Sequence, residues 1–144
     1  MAKAWEKQGE SVWVLNLDVI VLRCTQGGGR FHITSSHGAP EGPFETVEAA
    51  QAYGIRYAAA MIEKTLMGLS ELEARPVPFT VGYKQTGCGL LVLQIEPPKP
   101  DSDEHKKWTN EDGTVNIAYA DAQRSGHINQ QRVRLRQILS DIGR

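Results

Sequence analysis

Cysteine is scarce in this chain, and its scarcity removes a whole class of folds. The 144 residues contain two, Cys24 and Cys88, and they form no C-x-x-C pair. A disulfide framework is excluded, and both residues are expected as reduced, structural thiols. Charge of one sign is equally lacking. Sixteen basic residues stand against seventeen acidic ones, for a net charge of −1, so no global field draws in a nucleic acid or an anionic membrane. Long hydrophobic runs are missing too. The greasiest stretch, Val12 to Leu22, is short and carries Asn16 and Asp18, too few apolar residues to span a bilayer. The opening MAKAWEKQGES has no apolar run of the signal-peptide kind. No membrane association and a cytoplasmic location are the default expectations.

Recognised catalytic, metal and nucleotide signatures are also absent, although three stretches invite them. Gly27-Gly28-Gly29 is followed by an arginine and a strand pattern. A phosphate-binding loop needs Gly-Lys-Ser/Thr opening a helix, so the triplet reads as a turn. Asp101, Asp103, Glu104 and His105 lack the glycine and the terminal glutamate of a calcium loop, and read as a solvated acidic linker. His32 and His37 lie five apart with no acid or thiol beside them, which is no metal pair. No cofactor and no metal are expected.

What the chain does contain is a long helical pattern between strand patterns. At 100° per residue, Val47, Ala50, Gly54, Tyr57, Ala58, Met61, Ile62 and Thr65 fall on one arc. Thr46 stands where an N-cap belongs, and Glu48 follows at the positive end of the helix dipole. The spacing predicts a helix over 46–72, with Gly68 as a stop and Ser70 to Glu73 as the capping box of one further turn. Before it, Val12–Arg23 reads as one strand apolar on both faces, and 30–35 as its hairpin partner across the glycines. Ser36 to Pro43 reads as a loop by composition. After the helix, 77–85 and 89–96 alternate as a second hairpin about Thr86-Gly87-Cys88-Gly89.

Length and 40% hydrophobic content suit one globular domain. The expected fold class is α+β: an antiparallel sheet of four to five strands packed on one long helix, with a C-terminal helix. Residues 1–96 form the sheet-plus-helix core, with two hairpins around the helix over 46–72. Residues 97–104 are a proline- and acid-rich connector. Residues 105–144 are a strand-and-helix extension packed on the same domain, with an edge strand over 114–119 and a final helix capped by Ser125 or Asn129.

Three functional readings follow. The first is a small, soluble, non-enzymatic binding protein that acts through protein–protein contact, as a homodimer or as an accessory or inhibitory factor. Its surface is the back of the long helix, where Ala49, Tyr53, Ala60 and Met67 form a second stripe bracketed by Arg56 and Glu63. A helix apolar on two faces sits between two layers, so either the chain's own tail or a partner covers that stripe. The second reading is nucleic-acid binding through Arg124, Arg132, Arg134 and Arg136, the one basic concentration in the chain. The third is an enzyme whose site is assembled from His32, Cys88 or His105, for which no acid–base or nucleophile pair is legible.

Overall fold

Alternating side chains and a succession of tight turns make the N-terminal third an antiparallel meander. The computed structural model describes residues 4–74, 83–84, 90–91, 94–95 and 101–143. Its first five strands are β1 (Glu6–Lys7), β2 (Val12–Asn16), β3 (Val21–Gly27), β4 (Arg30–Ser35) and β5 (Gly38–Phe44). They pair in chain order to form one five-stranded antiparallel sheet. Gly28 and Gly29 close the β3–β4 turn with φ of 61° and 76°. Positive φ at both central positions is what the twist of a two-residue hairpin demands and what glycine supplies without steric cost.

Helix α1 (Val47–Ala74) follows directly. Thr46 caps it, its Oγ1 accepting the Ala49 N–H at 3.1 Å. The predicted arc is the buried one: Ala50, Ala58, Ile62 and Thr65 are fully enclosed. Trp13, Cys24 and Ile33 stand in one cross-strand row. Cys24 and Ile33 are buried against Ala50, with Trp5, Trp13, Phe31, Phe44 and Val47 packed around them. Gly54 brings the helix backbone close to the sheet. A Cβ there would stand 3.4 Å from Leu22 Cδ1 and 3.5 Å from Ile33 Cγ2.

The chain divides into two compact units, Met1–Lys64 with Leu135–Arg144, and Thr65–Arg134. The second unit holds β6 (Tyr83–Lys84) paired with β7 (Gln94–Ile95), and α2 (Asp103–Trp108). The final helix, α3 (Ile117–Asp141), begins in this unit. Ser102 caps α2 by accepting the His105 N–H, and Asn116 caps α3 by accepting the Tyr119 N–H. Trp108, Val115 and Ala120 form a small core, with the Tyr119 ring edge-on to Trp108 at 6.1 Å. Thr65 Oγ1 accepts the buried Leu90 N–H at 3.0 Å, tying α1 to the segment that follows it.

The mixed α+β class, the sheet, the long helix packed on it and the C-terminal helix are as expected, but the strands are distributed differently. All five strands of the main sheet precede α1, and β6–β7 form a ribbon of their own. Apart from Leu90 and Leu91, the remainder of the predicted second hairpin, Cys88 included, lies outside the described residues. Val12–Arg23 is two strands rather than one. The reversal is Leu17 to Ile20, closed by the Leu17 N–H to Ile20 carbonyl bond of 2.9 Å. Asn16 Oδ1 accepts the Asp18 N–H, and Asp18 takes a φ of 70°. Leu17, Val19 and Ile20 are buried, so Asp18 alone gives this turn the polar composition that marks most turns.

The predicted loop over 36–43 is largely strand β5, whose prolines are tolerated because it lies on the sheet edge. The turn itself is Ser36-His37. Gly68 does not stop α1, and Ser70 does not cap a new turn. Its hydroxyl donates instead to the Leu66 carbonyl within one continuous helix. Asp103 and Glu104, assigned to the connector, open α2. The predicted strand over 114–119 reduces to one bridge, Thr109 to Val115, before Asn116 starts α3 well ahead of Ser125.

Candidate protein-interaction face

Opposite its buried arc, α1 carries a run of exposed side chains. Ala49, Ala52, Arg56, Ala60 and Glu63 are all exposed. Further along the same helix, Met67 is 68% exposed, one of three large hydrophobic residues left in solvent among the described residues, with Ile117 and Val133 of α3. Of the five positions expected on this face, Ala49, Arg56, Ala60 and Met67 stand in solvent. Tyr53 differs. It is half-buried, its ring 5.3 Å from that of Phe44 at the end of β5, so it leans toward the sheet. The alternation that produces the face is local: small and charged side chains at three- and four-residue spacing, out of phase with the arc that the sheet covers.

The charges on this face have no partners along the helix. Three and four residues from Arg56 stand Ala52, Tyr53, Ala59 and Ala60, and from Glu63 stand Ala59, Ala60, Leu66 and Met67. None carries a charge, so neither residue gains the support of a helical ion pair.

The four arginines assigned to nucleic-acid binding do not form one solvated cluster. Arg124 is 4% exposed, with Nη2 donating to Asp121 Oδ1 at 3.0 Å and to the Glu73 carbonyl at 3.4 Å. Arg132 donates to Glu73 Oε2 at 3.3 Å and to Asn129. Arg134 is half-buried and donates to Gln131 Oε1 at 3.1 Å. Arg136 alone of the four is exposed. Guanidinium groups held by carboxylate, carbonyl and amide oxygens have part of their donor capacity in use before any phosphate arrives. The convergence of Arg124 and Arg132 on Glu73, the penultimate residue of α1, had no sequence signal, since 51 and 59 residues separate the partners.

Of the residues considered for chemistry, Cys88 lies outside the described residues, and His32 and His105 belong to different units. Cys24 is buried, and desolvation pushes its thiol above the ordinary value, the wrong direction for a nucleophile. His32 is exposed on β4, and His105 is half-buried in α2. A Ser36–His37 contact, Oγ to Nδ1 at 3.0 Å, escaped sequence reading. It sits exposed in the β4–β5 turn, where Ser36 Oγ also accepts the Val21 N–H. That arrangement closes a turn. Among the described residues no group of three His, Cys, Asp or Glu side chains is placed to hold a metal ion, and no helix is long and apolar enough to cross a membrane. No family model, no curated protein and no solved structure matches this chain.

Proposed function

We propose that this chain is a non-enzymatic binding protein acting through protein–protein contact, and that the outward face of α1 carries the contact. The observation behind this reading is the openness of that face: Ala49, Ala60 and Met67 lie along one side of a helix whose other side is enclosed. Apolar surface in line along a rigid element is the kind that a partner covers. Helix-on-surface docking reads such side chains as anchors at three- and four-residue spacing. The arginines of α3 support the nucleic-acid alternative less well, because Arg124 and Arg132 already satisfy acceptors within their own unit.

A photo-cross-linking side chain placed at Ala60 tests the reading, with the same group at Lys106, exposed on α2, as the control. In extracts of the cells that make the protein, position 60 is expected to give a discrete adduct. Excess unmodified protein should compete it away, and Met67→Glu should weaken it. Labelling from position 60 no more specific than from position 106 would overturn the proposal.

A further inference from the structure

Arg56 and Glu63 stand two helical turns apart, about 10 Å along the axis, and therefore leave α1 on the same flank of its open face. Both are exposed, neither has a charged neighbour three or four residues away, and neither forms an ion pair with another described residue. Ala60 lies between them and is exposed. These charges complement each other but cannot meet on one helix.

We infer that a second copy of this chain covers the face, the two α1 helices pairing antiparallel about a two-fold axis beside Ala60. Arg56 of each copy then meets Glu63 of the other. The inference rests on the proposed role of this face in protein contact and names its partner. Three features of the helix converge on it. A two-fold axis perpendicular to the helices brings each flank against the same flank of its mate, so one complementary pair is satisfied twice. Parallel pairing would turn the Arg56 flank toward the other flank, where no carboxylate answers it. The small side chains of Ala49, Ala52 and Ala60 let two helix backbones approach closely, as a crossing point requires. The strip from Ala49 to Glu63 is about 21 Å long, one helix wide, and belongs at the small end of specific interfaces. The association is therefore weak and reversible.

Sedimentation velocity across micromolar to submillimolar concentration provides the test. The apparent mass of the wild type should climb from 15.9 kDa toward twice that value. Arg56→Glu and Glu63→Arg alone each place like charges at both contacts and should weaken association about tenfold or more. An equimolar mixture of the two single variants should recover it, and so should the double variant Arg56→Glu/Glu63→Arg. Recovery in the mixture cannot come from general damage to the fold. A wild type that stays monomeric throughout, or a mixture no heavier than its components, overturns the pairing. If the monomeric protein still cross-links to another protein from position 60, only the second-copy inference falls. If it neither self-associates nor cross-links, the reading of the face falls with it.

Discussion

Single side chains carry much of what holds this chain in register, and two of them give sharp expectations. Thr46 accepts the Ala49 N–H at the start of α1, satisfying one of the donors that every helix start leaves orphaned. Thr46→Ala should cost about 1 kcal/mol in urea unfolding, while Thr46→Ser should cost little. An unchanged midpoint for the alanine variant would mean that water serves that N–H equally well. Cys24 illustrates burial acting on ionisation. Desolvation raises its thiol, so the folded chain keeps a proton that the unfolded chain releases. The resulting stabilisation is complete below the unfolded thiol's pKa and is lost as pH rises through the folded one. In a Cys88→Ser background, a thiol reagent should modify Cys24 no faster than the chain opens. Prompt modification of the folded protein at neutral pH would contradict its enclosure.

At the scale of elements, α1 organises the structure because its two sides do different work. Its buried side holds the sheet through Ala50, Gly54 and their neighbours. Further along, Thr65 supplies the acceptor for the Leu90 N–H inside the second unit. A buried donor deprived of its acceptor costs more than the bond itself is worth. Thr65→Val, close in shape, should therefore destabilise the protein by about 1–3 kcal/mol, and Thr65→Ser should recover most of the loss. Equal stability of all three would show that the Leu90 amide finds another partner. Helix α3 shows how an element acquires a role that its own pattern does not display. Its arginines read in sequence as a basic surface. In the fold, Arg124 points inward and Arg132 reaches the carboxylate of Glu73.

For the whole molecule, the consequence is a balance between an almost neutral surface and one open helical face. With a net charge of −1, repulsion between copies is slight, and local charge pairs decide whether they meet. Because the proposed Arg56–Glu63 contacts are rim-exposed, added salt should screen them. Raising ionic strength from low to well above physiological should shift self-association toward monomer, measured by light scattering at fixed protein concentration. Association that strengthens with salt would instead assign it to apolar contact through Met67 and the alanines.

Short-range periodicity made part of this structure legible in the chain alone. The arc from Val47 to Thr65, its Thr46 cap, the hairpin turn at Gly28-Gly29 and the mixed α+β class all follow from spacing within a few residues. Spacing also separated the open side of α1 from its buried side. Where local chemistry was atypical the reading failed. Three of the four residues of the Leu17–Ile20 reversal are apolar and buried, so it looks like strand despite Asp18, and β5 carries prolines that look like loop. Asn116 starts a helix inside an alternating pattern. What covers what was settled by the folded chain. Tyr53 turns toward Phe44, Arg124 is enclosed beside Glu73, and Ala49, Ala60 and Met67 remain in solvent. Such outcomes depend on contacts between residues far apart in the chain. A helical period specifies which side chains share a face, but burial is set by whichever distant element arrives to cover it.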